Sequence, residues 1–68
     1  MLFSDHIYAA GQRVTVTDES IGARDEPGTV IRMNVGTVLT AIVRLDGEYA
    51  AYGAMVFDPD QIRPFRAL

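Results

Sequence analysis

The chain has 68 residues, of which 49% are hydrophobic, and a formal net charge of −3 from nine acidic and six basic residues. All six basic residues are arginines, and there is no cysteine, which excludes disulfides and thiolate metal sites. The charge disfavours nucleic-acid binding, because proteins that neutralise phosphates usually carry a basic face. A single domain this small buries only about 60% of its unfolded surface. The many hydrophobic residues therefore indicate either a dense core or a surface shared between subunits.

No segment is predicted to enter a membrane. The apolar runs are far shorter than the roughly 18 residues that a spanning helix needs. The N-terminus lacks the basic region and the cleavage site of a signal peptide. We therefore expect a cytoplasmic protein without a membrane partner.

Residues 1–10 are predicted to form an N-terminal extension, followed by one domain over residues 11–68. Ser4 as N-cap and Gly11 as terminator favour one or two helical turns in the extension. A strand lying along another subunit is the alternative. His6 is the only histidine, and we interpret it as a surface or partly packed side chain because the sequence offers it no catalytic or metal-binding partner.

Two strands and an acidic loop follow. Residues 13–17 alternate polar and apolar side chains, which predicts a strand with Val14 and Val16 facing inward. Residues 18–27 hold turn formers and four acids without the spacing of a calcium loop, so we expect a solvated loop. Residues 28–33 predict the second strand, which Asn34-Val35-Gly36 turns back.

Residues 38–57 are predicted to form a β-hairpin around which the domain is organised. Asp46-Gly47 suits a two-residue turn and would set Leu45 opposite Glu48. Val43 would then lie on the core face opposite Ala50, and Ile42 on the external face. A bulge at Gly53 is the alternative for the second arm, and it would move Met55 and Phe57 to the opposite faces.

The external face of this hairpin is predicted to be an interface. It is as apolar as the core face, whereas one face of an antiparallel hairpin in a small monomer is usually wet. We expect a second copy of the chain to cover it in a closed dimer or tetramer. The predicted interface residues are Val38, Ile42, Tyr49, Ala51 and Met55.

The chain ends with a turn and a strand. Asp58 and Pro59 are typical of the start of a 3₁₀ turn. Residues 62–65 predict a short strand at a sheet edge, because Pro64 cannot donate to a ladder. We place Tyr52 in the core. The core aliphatic residues predicted to pack together are Val14, Val16, Val30, Val43, Leu45 and Ile62.

This order of elements is all-β, and it resembles a five-stranded SH3-like barrel with a short N-terminal extension. The residues that carry the resemblance are turn glycines and barrel-filling aliphatics. They lie in Gly11-Gln-Arg-Val-Thr-Val, Pro27-Gly-Thr-Val-Ile, Val43-Arg-Leu-Asp-Gly and Val56-Phe-Asp-Pro-Asp-Gln-Ile-Arg-Pro. Many small bacterial SH3-like proteins, including KOW-type domains, have similar runs, and this resemblance spans residues 11–65.

Two families with this kind of barrel imply different functions. KOW-type domains meet RNA or protein through basic loops, whereas the loop at residues 18–27 is acidic. The plasmid-type dihydrofolate reductases are SH3-like tetramers with a central active site. Met55 and Phe57 stand where that family has a glutamine and a tyrosine, and the chain has no lysine. The second resemblance therefore implies the assembly without the reductase chemistry.

The sequence predicts no catalytic, cofactor-binding or metal-binding residues. General acid–base or nucleophilic chemistry needs paired groups on one element, and no spacing here pairs them. We expect a non-catalytic interaction module that self-associates, with an unidentified protein as a further possible partner. Two alternatives are an oligomeric enzyme or small-molecule binder with a site at a subunit junction, and a nucleic-acid- or ribosome-associated accessory domain.

Overall fold

The computed structural model describes residues 8–65, and within this range the chain is all-β. The five strands are β1 (Arg13–Asp18), β2 (Ala23–Asn34), β3 (Thr40–Leu45), β4 (Ala54–Phe57) and β5 (Ile62–Pro64). The 3₁₀ segments within the same range are Glu19–Ile21, Gly47–Tyr52 and Pro59–Gln61. The predicted N-terminal helix and His6 fall at residues 1–7, outside the described range. Within residues 8–65, no helix is long and apolar enough to cross a bilayer.

The strands form one antiparallel sheet in the order β4-β3-β2-β1-β5. The long strand β2 pairs with β1 over residues 23–29 and with β3 over residues 28–34. Within the described residues β4 pairs only with β3, and β5 only with β1. The sheet is therefore open, with β4 and β5 at its edges.

All five strands contribute to a single core. The six aliphatic residues predicted to pack together are all buried in one cluster, as the alternation of side chains indicated. Ala41, Phe57 and Tyr8 complete the cluster. The hydroxyl group of Tyr8 donates to the backbone oxygen of Ile62 at 3.3 Å, so the residue three positions before Gly11 is part of the domain's core.

The acidic stretch is folded more regularly than the predicted loop. A 3₁₀ turn occupies residues 19–21, and β2 begins at Ala23 instead of residue 28. Pairing with β1 supplies the ladder, and it overrides the weak strand preference of Asp25, Glu26 and Pro27. The register shifts between Val16 and Asp18, and Asp25 opposite this irregularity has a positive φ of 48°. Such a bulge accommodates polar residues at a strand end.

The predicted two-residue turn at Asp46-Gly47 is wrong. The chain leaves β3 at Leu45, winds through the 3₁₀ helix Gly47–Tyr52 and enters β4 at Ala54. Val43 therefore lies opposite Met55 instead of Ala50. The 3₁₀ helix ends at Gly53, which has φ 73° and ψ −150°, a conformation that side chains disfavour.

The C-terminal part follows the prediction. Pro59–Gln61 forms a 3₁₀ turn, and the side-chain oxygen of Gln61 accepts a 2.9 Å hydrogen bond from the backbone N–H of Asp58. The turn leads into β5, which holds Pro64 at the edge of the sheet. This short connection brings β5 alongside β1 while Phe57 and Ile62 remain in the same core.

Candidate interaction surface

The outward side of β2, β3 and β4 carries two cross-strand rows. The first row joins Arg32, Ile42 and Val56, because Ile42 pairs with both of the others. The second row joins Thr29, Arg44 and Ala54 through the pairing of Arg44. Residues that pair directly lie about 4.5–5.5 Å apart at Cβ and point to the same side of the sheet. These rows form one continuous surface, which we call the outward face.

The centre of the outward face is apolar. Val56 is 61% exposed, and Ile42 beside it is half-buried. Alanine at position 54 adds a small side chain that lets another backbone approach closely. An exposed apolar centre of this kind marks a contact surface more often than a lone surface valine does.

The predicted interface residues do not lie on one face. Ile42 lies on the outward face, as predicted, because Val43 points into the core. Met55 pairs with Val43 and packs against the core from the inward side. Tyr49 and Ala51 lie in the 3₁₀ helix after β3.

Val38 lies in the bend before β3 and is 68% exposed. The predicted face was wrong for the second arm because eight residues, not two, connect the strands. Met55 and Phe57 consequently point inward, which is the orientation predicted for a bulge at Gly53. The cause is the 3₁₀ helix before β4 and not a bulge.

Val56 takes the place that Met55 was predicted to occupy. The sequence alone did not indicate Val56, because its face depends on the length of the preceding connection. Val56 could have been found by first placing the large aromatic Phe57 in the core. Its neighbour Val56 must then point to the opposite face, because side chains alternate along a strand.

A second surface forms where two 3₁₀ segments meet. The hydroxyl group of Tyr49 donates to the backbone oxygen of Gly22 at 3.1 Å and lies 3.5 Å from that of Ile21. The rings of Tyr49 and Tyr52 are 6.2 Å apart between centroids and tilted by 39°. Tyr52 was predicted to be core but is 70% exposed, because the 3₁₀ helix turns it away from the sheet.

Acidic side chains accompany this second surface. Glu19 belongs to the same 3₁₀ turn as Ile21, and Glu48 precedes Tyr49 in the 3₁₀ helix. Both glutamates are exposed, as is Ile21. We call the surface formed by Glu19, Ile21, Glu48, Tyr49 and Tyr52 the acidic–aromatic patch.

The arginines, which are dispersed in the sequence, partly converge in space. Arg13, Arg32 and Arg44 all lie on the outward side of the sheet. Asp46 neutralises Arg13 through a 2.6 Å ion pair. Within residues 8–65, Arg32 and Arg44 have neither an ion pair nor a side-chain hydrogen bond.

The same ion pair shifts the pKa of both of its partners. The side-chain hydrogen bond from Arg13, assisted by its charge, lowers the pKa of Asp46 below the ordinary value of 3.8. The reciprocal hydrogen bond raises the pKa of Arg13. Both groups are exposed, so solvent screens the interaction.

A polar cleft of about 340 Å³ lies at the other end of the sheet. Its lining side chains are Thr17, Asp25, Asp60, Gln61 and Arg63. The hydroxyl oxygen of Thr17 accepts from the backbone N–H of Asp25 at 3.0 Å, and Arg63 donates to the backbone oxygens of Asp60 and Ile62. These contacts hold the β1–β2 connection and the last 3₁₀ turn in place. In the part of the chain that the structure describes, no group of three metal-ligating side chains converges.

Comparison with known proteins identifies no relative: no family model, no curated protein and no solved structure matches the chain.

Proposed function

We propose that the chain is a non-catalytic interaction module that self-associates through the outward face into a homo-oligomer. The observation that carries this proposal is the cross-strand pair of Ile42 and Val56 at the centre of that face. In a single chain the exposed part of both side chains is in contact with water. A second copy that covers the outward face displaces this water. Removing apolar surface from water is favourable by about 25 cal/mol for each Å², and the association must in addition offset the lost freedom of the two chains.

A barrel is part of the same proposal. β4 and β5 lie at opposite ends of the strand order, four strand spacings or about 19 Å apart in a flat sheet. Phe57 of β4 and Ile62 of β5 nevertheless belong to one core cluster. This supports a sheet that curls on itself as an SH3-like barrel, with the outward face on the convex side.

We also propose that the chain is not a catalyst, because the side chains that line the polar cleft already have structural hydrogen bonds. Thr17, Gln61 and Arg63 make hydrogen bonds to nearby backbone groups. Such bonds stabilise turns and strand ends, and they account for these residues without a reaction. We assign the cleft a structural role.

Light scattering coupled to size-exclusion chromatography tests the self-association. We expect the wild-type chain to elute as a dimer or tetramer, and the Val56→Gln variant to shift toward a folded monomer, because a buried amide without a hydrogen-bond partner opposes association whichever surface covers the outward face. Val35→Gln is the matched control, since Val35 is 77% exposed and lies outside the outward face. It should keep the wild-type mass.

Two results would contradict the proposal. One is a wild-type protein that remains monomeric at high concentration. The other is an oligomer whose mass is unchanged by both Val56→Gln and Ile42→Gln, with circular dichroism showing that both variants are folded. The oligomer would then be formed by another surface.

A further inference from the structure

The outward face is charged as well as apolar. Arg32 of β2 lies directly beside Ile42 of β3. Arg44 lies two residues after Ile42 in β3 and points to the same side of the sheet. Arg32 and Arg44 are therefore diagonal neighbours across β2 and β3, a separation of about 7–8 Å that long side chains can span. A partner that places carboxylates between these guanidinium groups relieves the repulsion between them.

The acidic–aromatic patch has the complementary character. Glu19 and Glu48 have no ion pair within residues 8–65. The same patch contains the exposed Ile21 and Tyr52 and the half-buried Tyr49, which offer apolar and aromatic surface of the kind enriched in interfaces. Aromatic faces also attract guanidinium groups. One chain therefore carries both a basic apolar surface and an acidic aromatic one.

We propose that in the homo-oligomer the acidic–aromatic patch of one copy docks on the outward face of another. This inference rests on the proposed self-association, and it identifies the acidic–aromatic patch as the surface that covers the outward face. Glu19 and Glu48 meet Arg32 and Arg44, and Ile21 and the tyrosines cover Ile42 and Val56. Made twice about a two-fold axis, with the patch of each copy on the face of the other, this contact closes a dimer. A face that met its own copy would instead bring the arginines of both chains together, and they would repel each other.

Charge reversal distinguishes these arrangements. The first variant, Arg32→Glu with Arg44→Glu, makes both surfaces acidic. The second variant, Glu19→Arg with Glu48→Arg, makes both surfaces basic. We expect each variant alone to associate at least about tenfold more weakly than wild type, because like charges then face each other. An equimolar mixture should recover the assembly, since each surface again finds an opposite charge on the other variant.

The controls separate charge at the contact from total charge. Arg24→Glu with Val35→Glu and Thr37→Glu brings the same change of net charge as the first variant at three exposed positions outside both surfaces, so we expect wild-type association. All four substituted positions of the two test variants are exposed, and circular dichroism checks that each variant is folded. Analytical ultracentrifugation of the single variants and of the mixture gives the dissociation constants.

The failures of the two proposals are distinguishable. If wild type associates and either reversed variant alone associates equally well, the docking inference is wrong while the self-association stands. A mixture that fails to associate also overturns the docking inference. If wild type is monomeric, the proposed self-association fails and the docking inference with it. Binding of a fluorescent single-stranded oligonucleotide by wild type, lost in Arg32→Glu with Arg44→Glu while the assembly persists, would overturn the inference by assigning the face to nucleic acid.

Discussion

Arg13 and Asp46 form a doubly hydrogen-bonded ion pair between the start of β1 and the residue that follows β3. The two contacts measure 2.6 Å between Nη2 and Oδ2 and 3.2 Å between Nη1 and Oδ1. Nη1 also donates to Oγ1 of Thr29 at 2.8 Å, and the guanidinium carbon lies 5.5 Å from the centroid of the Phe65 ring. One side chain thus links four segments across the outward side of the sheet.

The ion pair predicts a pH dependence of stability. Because the pKa of Asp46 is lowered by the Arg13 hydrogen bond, the stabilisation is present above the ordinary pKa of 3.8 and is lost as the pH falls through the lower pKa of the folded state. Asp46→Asn should therefore lower the melting temperature slightly at pH 7 and differ less from wild type as the pH falls toward 2. Thermal denaturation at several pH values measures this.

Asp60→Asn is the control for that experiment, because the Asp60 carboxylate has no ion pair within residues 8–65. It should change the melting temperature little at any pH. A gap between wild type and Asp46→Asn that stays constant through the acid range would contradict the assignment. Added salt should narrow the gap at neutral pH, since exposed charge pairs are screened.

Val43 is a central core residue, and its truncation should be costly. It is fully buried between its cross-strand partners Val30 and Met55. We expect Val43→Ala to lower the free energy of unfolding by about 1–3 kcal/mol, from lost transfer energy and an incompletely closed cavity. Val35→Ala at an exposed position should change it by less than about 0.5 kcal/mol. Equal effects in urea titrations would show that Val43 is not in the core.

Gly28 is required by the close approach of β3 to β2. A Cβ at this position would lie 2.8 Å from the backbone oxygen of Arg44 and 2.9 Å from Cδ2 of Leu45. Gly28→Ala should therefore destabilise the protein by about 1–3 kcal/mol through overpacking.

Gly36→Ala is the matched control, because a Cβ there meets nothing within 4 Å and the backbone needs no positive φ. It should be neutral or slightly stabilising, as the unfolded chain loses freedom. Chemical denaturation of both variants measures their free energies of unfolding. A Gly28→Ala variant as stable as wild type would contradict the close packing of β2 against β3.

The hydroxyl group of Tyr49 should hold the two 3₁₀ segments together. Tyr49→Phe removes the hydrogen bond to Gly22 and should cost about 0.5–1.5 kcal/mol in unfolding free energy. Tyr52→Phe removes an exposed hydroxyl group that has no such partner within residues 8–65, and it should cost almost nothing. Amide hydrogen exchange should show faster exchange at residues 47–53 in Tyr49→Phe alone. Unchanged exchange there would mean that the 3₁₀ helix does not depend on this contact.

The sequence by itself determined β1, the first arm of the central hairpin and the aliphatic part of the core. Alternation with a period of two placed Val14 and Val16 inward, because each strand's side chains point to alternate faces whatever the rest of the chain does. The Asp58-Pro59 signal likewise located the last 3₁₀ turn, since the capping group and the fixed φ are local properties. Such features need no knowledge of distant residues.

Only the tertiary structure decided which face the second arm of the central hairpin presents. The phase of β4 depends on the connection, and the connection became a 3₁₀ helix where Tyr49 packs against the core and reaches Gly22, 27 residues away. Val56 consequently replaced Met55 on the outward face. The convergence of Arg32 and Arg44 has the same origin, because register between strands, and not spacing along the chain, sets which charges become neighbours.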